Sequence, residues 1–253
     1  MADYDNVAEL YSNAMPDEGD YYHRTQIDPL IYSIIGDPKG KIIYDLGCGN
    51  GYIARNLSRK GAKVYASDIS SKLIEIAEER SQGLDISYAA HDALKFDKYK
   101  KGMFDVVVMN MVIHYIKDIN KLFRGISRVL KKDGIFVFST NHPFRPVHPY
   151  SEWTLGKIDE KETLFIKVTG YLKKESREGI CWCDNKTKLH LYNQPLHELV
   201  NTMSKYGLLT FRIEEPKGDG FAHDYSKELQ DSHYIPTFII IGTKRLDRCG
   251  NLR

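Results

Sequence analysis

No stretch of this chain is apolar for long enough to cross a bilayer; nothing approaches the roughly 18 residues that a helical span requires. A basic excess is also missing. The formal net charge is +2, too little to hold a phosphate backbone, so no nucleic-acid partner is expected. Cysteine is scarce, with four residues in 253 and no pattern of a disulfide framework. Cys181 and Cys183 form C-x-C near His190, but no further ligands follow at zinc spacing, so no metal is expected. The opening residues Met1-Ala2-Asp3-Tyr4-Asp5 are acidic, unlike a secretory signal. Internal repeats and low-complexity segments are absent too. These absences lead to the expectation of a cytoplasmic protein with no membrane partner.

What is present is an ordinary globular composition, 42% apolar and 28% charged, over a length that suits one generous domain. The most informative stretch is residues 42–54, Ile-Ile-Tyr-Asp-Leu-Gly-Cys-Gly-Asn-Gly-Tyr-Ile-Ala. A short buried-strand run leads to Asp45. Gly47, Gly49 and Gly51 then alternate through a turn, and a helix begins at Tyr52. Glycine is needed where the chain turns sharply and its backbone must approach a ligand without a Cβ in the way. The free N–H groups at a helix start favour negative charge.

Two details narrow the ligand. A dinucleotide fingerprint wants a small residue three positions after its second glycine, where Tyr52 stands and would crowd a pyrophosphate. Asp45 precedes the glycines and would repel phosphates, but it suits a ligand with a cationic amino-acid moiety. An oxidoreductase is disfavoured on both counts.

Further segments follow in order. Residues 5–14 are helix-compatible. Asp28-Pro29 reads as an N-cap and a first-turn proline opening a helix through Ile35. Residues 63–67 form a second strand ending at Asp68, about twenty residues past the first glycine, where an acidic side chain takes ribose hydroxyls. Residues 86–89 and 104–109 supply two more strands, the latter almost wholly apolar, as a covered parallel strand should be. Ile119, Leu122, Phe123, Ile126, Val129 and Leu130 recur at helical spacing, with Asp133-Gly134 as the stop, and residues 135–139 form a fifth strand. Strands alternating with helices indicate an open parallel sheet covered on both faces. Three prolines in residues 141–150 break this rhythm. Residues 163–172 and 180–192 read as antiparallel strands with Asp184-Asn185 at a turn. A helix near residues 196–203 and strands at 210–214 and 236–243 complete the sheet.

Asp-x-Gly-x-Gly-x-Gly at residues 45–51 resembles the first motif of the class I S-adenosylmethionine (SAM)-dependent methyltransferases, and the later motifs follow in that family's order across nearly the whole chain. The resemblance is greatest to bacterial small-molecule members with a tyrosine-bearing N-terminal segment and a lid after the fifth strand. It implies a Rossmann-like α/β fold: a seven-stranded, mostly parallel sheet with helices on both faces, an antiparallel last strand and a β-rich lid insertion. The organisation expected is an N-terminal helical cap (1–36), a SAM-binding core (37–142), the lid (143–192), the rest of the sheet (193–244) and a loose tail (245–253).

Carried onto this chain, the resemblance places Gly47, Cys48 and Gly49 along the homocysteine side of SAM and Asp45 near its ammonium end. Asp68 would hold both ribose hydroxyls, with Ile69 against the adenine. Asp92, beside Ala93, matches the residue meeting the adenine amino group, and Asn110 and Met111 match the segment beside the methionine portion. Residues 20–24, Asp-Tyr-Tyr-His-Arg, are similar to a segment of sugar N-methyltransferases in which a tyrosine and a basic residue close over SAM. Tyr11, Tyr22 and Arg24 are the candidates for that role.

A sulfonium methyl is already activated, so catalysis is mainly positioning, helped by a proton acceptor where the nucleophile carries a proton. No metal triad or nucleophilic-enzyme motif is visible. His142 and His114 follow the fifth and fourth strands and are the leading bases, with His142 preferred by position. Tyr115, Arg145 and His148 are candidates for substrate binding. Tyr150, Trp153, Phe165, Tyr171 and Trp182 are candidates for the pocket wall. The expected reaction is methyl transfer to O, N or C of a small molecule. Methylation of RNA or protein needs a basic face or a further module, and neither is evident. A catalytically silent SAM-binding domain is argued against by the intact glycine turn and Asp68.

Overall fold

The structure, a computed structural model, describes residues 3–144, 151–158, 160–173, 176–217 and 236–246. Five parallel strands form its centre: β1 (Ile42–Leu46), β2 (Lys63–Asp68), β3 (Ile86–Ala90), β4 (Phe104–Asn110) and β5 (Leu130–Asn141). β10 (Leu208–Glu214) and β11 (Phe238–Arg245) extend the sheet to seven strands in the order β10-β11-β5-β4-β1-β2-β3. β11 runs antiparallel to both neighbours. Strand order reverses between β1 and β4, so a crevice opens past their carboxyl ends, where folds of this type receive ligands.

Helices cover both faces. α5 (Ile119–Val129) buries the stripe Ile119, Leu122, Phe123, Ile126 and Val129 against Phe104, Phe136 and Phe138, together with Leu199 and Met203 of α6 (Leu196–Lys205). The Asp118 carboxylate caps α5 by accepting from Lys121 N at 2.9 Å. On the other face, Ile31, Ile34 and Ile35 of α2 (Asp28–Ile35) pack with Ile53, Ala54 and Leu57 of α3 (Tyr52–Arg59). Ser70 caps α4 (Ser71–Glu79), accepting from Leu73 N. No helix among the described residues is long and apolar enough to cross a membrane.

Several local expectations change. The N-terminal segment is a 3₁₀ turn (Asp3–Val7) running into α1 (Ala8–Ala14). Asp28 is not an N-cap, because a π-helical turn (His23–Ile27) runs unbroken into α2 and Ile27 occupies the cap. α5 stops at Val129, before Asp133-Gly134. Arg245 belongs to β11 and not to a tail, its guanidinium donating to Leu130 O at 2.7 Å. The segment after β5 holds two separate hairpins: β6 (Ser151–Ile158) pairs with β7 (Lys161–Val168), and β8 (Ser176–Ile180) with β9 (Lys188–Tyr192). The strand at 151–158 was not anticipated. The turn around Asp184-Asn185 lies where expected, with Asn185 in the left-handed region at φ 53°.

Candidate active site

The glycine turn lies directly past β1. Gly47 and Gly49 have φ of 79° and 54°, conformations that L side chains rarely adopt. A Cβ on Gly47 would lie 2.5 Å from a Val112 methyl, and one on Gly49 would lie 2.9 Å from the Tyr11 hydroxyl. Val112 and Tyr11 are therefore seated on the two glycines, covering the cradle with the chain's own side chains. Cys48 between them is a small buried residue whose thiol burial holds well above its ordinary range.

Asp45 is 1% exposed, and its Oδ2 has no hydrogen-bond partner among the described residues. Burial first, and then the Asp68 charge, push its carboxyl up to about 8. An orphaned buried carboxyl oxygen calls for a cationic donor, which the ammonium of an amino-acid moiety supplies. Asp68 is held by backbone: Gly49 N donates to Oδ2 and Ser70 N to Oδ1, each at 2.9 Å. Burial raises the Asp68 carboxyl while these N–H groups oppose the shift. Each oxygen keeps a lone pair for a further donor such as a ribose hydroxyl. Ile69, next along, is 59% exposed and presents an apolar face beside them. Asp92 accepts from Leu94 N at 2.8 Å in the turn after β3, and Ala93 packs against the core. Two covered glycines, an unpartnered carboxyl and a backbone-held aspartate fit SAM.

The turn after β4 forms the opposite wall. Met111 takes φ 56°, rare for a side chain of this size, and its N–H donates to Ser139 Oγ at 3.0 Å. Asn110 points inward: its Nδ2 donates to the Tyr52 hydroxyl at 2.7 Å and to Asp28 Oδ1 at 3.2 Å, and its Oδ1 accepts from Ser139. Tyr52 is likewise turned away from the glycines, donating to Asp28 Oδ1 at 3.1 Å with only 4% exposure. The expectation that Tyr52 crowds a pyrophosphate is thus corrected, and the Asp68 carboxylate remains as the deterrent. Asp28 is a buried site residue that its local Asp-Pro signal does not reveal. Burial pushes its carboxyl up to about 6.

The N-terminal segment supplies the cover. Tyr11 packs edge-on against Tyr4 and Trp182, and the Tyr4 and Tyr115 hydroxyls bond at 2.8 Å. Asp5 accepts from Ser70 Oγ at 2.6 Å, tying this segment down beside Asp68. Tyr22 packs on Tyr21 and on Phe238, which pairs with Asn141 at the end of β5, and Arg24 is exposed on the π-helical turn. Tyr115 joins the cover through Tyr4. Arg145, His148 and Tyr150 lie outside the described residues.

A cavity of about 30 Å³, the space of one water, lies past β4 and β5 and is lined by His114, Thr140, His142, Tyr192, Asn193 and Gln194, among others. His142 Nε2 is engaged by Glu215 at 2.8 Å, and its Nδ1 lies 3.5 Å from the donating Phe144 N–H. His114 Nδ1 meets Thr140 Oγ1 at 3.2 Å, while no partner is found for its Nε2 among the described residues. Burial, then the nearby Arg177 charge, lower His114 to about 4, so its imidazole is neutral at ordinary pH. Burial also lowers His142, against the opposing pull of Glu215.

Residues 44–138 match the family model described as a methyltransferase domain. The chain therefore carries a methyltransferase domain and is similar to the class I SAM-dependent methyltransferases. The chain is 25% identical to a Mesorhizobium loti SAM-dependent methyltransferase of known structure, covering 86% of this chain and 96% of that one with a TM-score of 0.71. An uncharacterized Haemophilus influenzae protein is 25% identical over 97% of both chains. A ubiquinone biosynthesis O-methyltransferase of Bordetella avium is 25% identical over 55% of this chain and 61% of its own length.

Proposed function

We propose that this methyltransferase acts on a small-molecule acceptor, carrying the methyl of SAM to an O, N or C nucleophile without a metal, in the cytoplasm. The observation that carries the reading is the cavity past β4 and β5, which places the neutral His114 imidazole among the hydrogen-bonding side chains of Thr140, Asn193 and Gln194. The cavity has room for one water as it stands, so an acceptor enters once the residues over it part; its few converging polar groups suit a small ligand better than a polymer, and a net charge of +2 offers no field for a polyanion.

SAM supplies an activated sulfonium methyl when bound, held by the glycine turn, Asp45 and Asp68. The residues past β4 and β5 orient the acceptor, and His114 Nε2 accepts its proton while Thr140 holds the ring through Nδ1. A base as weak as this imidazole suits an acceptor with an acidic proton, which places phenolic and enolic hydroxyls ahead of aliphatic alcohols. The β8–β9 hairpin brings Tyr192 over the cavity and excludes water from it. Likeness to ubiquinone biosynthesis O-methyltransferases supports an oxygen acceptor.

The test is release of S-adenosylhomocysteine (SAH) from SAM with a panel of phenols, enols, amines and alcohols, beside bulk RNA and a protein lysate. Turnover is expected with at least one small molecule, phenols first. Methyl incorporation into RNA or protein alone would contradict the proposal.

A further inference from the structure

The turn between β8 and β9 joins two thiols for which methyl transfer has no use. The Sγ atoms of Cys181 and Cys183 lie 2.6 Å apart, and both residues are free cysteines. Cys181 is buried with Val7 and Leu189, and Tyr4, Tyr115 and Cys183 pack on that cluster. Trp182, between the two, sets its ring edge-on to Tyr11 with centroids 5.8 Å apart. Tyr11 in turn is seated on Gly49. The sulfur pair thus reaches the glycine turn through two aromatic side chains.

We propose that Cys181 and Cys183 are a reversible dithiol–disulfide pair, closed by a low-molecular-weight disulfide, that locks the aromatic cover over the cofactor site. The inference rests on the glycine turn being that site. A disulfide needs its sulfurs about 2.05 Å apart, so closing the pair moves little. Closure passes a ring through the backbone of Trp182 and fixes the residue that holds Tyr11 in place. Because Tyr11 and Val112 sit on the glycines, the cover has to move before a ligand reaches them, and a fixed Trp182 slows that movement.

The chemistry balances. The Cys183 thiolate, the accessible member, attacks one sulfur of the small disulfide, forming a mixed disulfide and expelling one small thiol. The Cys181 sulfur then attacks the Cys183 sulfur, forming the intrachain bond and expelling a second small thiol. The two protons and two electrons lost by the protein leave on those two molecules. Burial, with the adjacent Cys181 sulfur, pushes the Cys183 thiol up to about 12, so closure is slow at neutral pH and accelerates as pH rises.

A metal is the competing occupant, since Asp184 brings a third donor within 4.8 Å of the sulfurs. Its carboxylate is already used by the turn, with Oδ1 accepting from Lys186 N at 2.9 Å and Oδ2 from Thr187 Oγ1 at 2.6 Å. Two sulfurs and a committed carboxylate do not complete a tetrahedral site.

The full chain is incubated with glutathione disulfide at about pH 8.5, where exchange is fast, then alkylated and mapped by mass. The peptide holding both cysteines should lose about 2 Da, the mass of two hydrogens, and regain it with reduced glutathione. SAH association should slow roughly fivefold or more in the closed form, as for a restrained lid, and thermal stability should barely change because so short a loop removes little chain entropy. Cys183→Ser should show neither the mass change nor the slowing. Failure of the two cysteines to pair, or stoichiometric zinc retention by the reduced chain, overturns the proposal. An unchanged association rate in the closed form overturns the lock. A reduced chain that binds no SAH contradicts the cofactor site itself and the lock with it.

Discussion

His114→Ala is expected to lower kcat by about 10²–10⁴-fold, the contribution of a well-placed general base, while SAH affinity stays within about twofold, as for a residue outside the cofactor contacts. The ring lines the cavity past β4 and β5, its Nδ1 is taken by Thr140, and its Nε2 has no partner among the described residues. With burial holding its pKa at about 4, the imidazole stays neutral until the pH falls well below that of ordinary histidine. The acid limb of kcat should therefore fall near pH 4 and not near 6.5. The same shift has a stability consequence. Unfolding restores an ordinary histidine, so the unfolded chain binds the extra proton, and folded stability should decline as pH drops from about 6.5 to 4. His142→Ala should cost less, about tenfold at most, because Glu215 already occupies Nε2 and leaves that ring the weaker proton acceptor. An equal or larger loss in the His142 variant would return the base to His142.

Asp68→Ala should weaken SAH binding by about 1.5–3 kcal/mol, the range for hydrogen bonds to a charged group, or roughly 10- to 150-fold. The melting profile without ligand should shift little. Gly49 N and Ser70 N lose their acceptor in the variant, but the raised Asp68 carboxyl shows that burying this charge already costs the fold something. Removing it relieves that cost. Calorimetric titration and a melting curve check both halves. A loss of several kcal/mol in the unliganded protein would make Asp68 a structural residue.

The parts of this molecule written in local patterns were legible beforehand. Glycines at 47, 49 and 51 between an apolar run and a helix start define a turn whatever surrounds it, and α5 announces its buried face through spacing alone. Parts set by distant partners were not. Asp28-Pro29 carries the local signal of a helix start, but the Asp28 carboxyl is claimed by Tyr52 and Asn110, 24 and 82 residues away. Rank between the two histidines depends on Glu215, 73 residues beyond His142. Tyr22 and Arg24 sit in a segment that resembles a cofactor cover, but the π-helical turn shows Arg24 to solvent and leaves Tyr22 on Phe238. Tyr11, with Tyr4 against it, packs on the glycine turn itself. β6 escaped notice because it pairs only with β7, outside the main sheet, and Glu152 and Lys157 interrupt any apolar run.

The central claim is that the glycine turn, Asp45 and Asp68 hold the amino-acid and ribose parts of SAM. Its most direct test is calorimetric titration with SAH at pH 7 in two buffers of different ionisation enthalpy, repeated with NAD. With Asp45 raised to about 8, the unliganded carboxyl is mostly protonated at pH 7, and a cationic ammonium beside it forces ionisation. Micromolar SAH binding, release of close to one proton per ligand and no heat with NAD are expected. Tight NAD binding without SAH binding, or SAH binding that moves no proton, would contradict the claim.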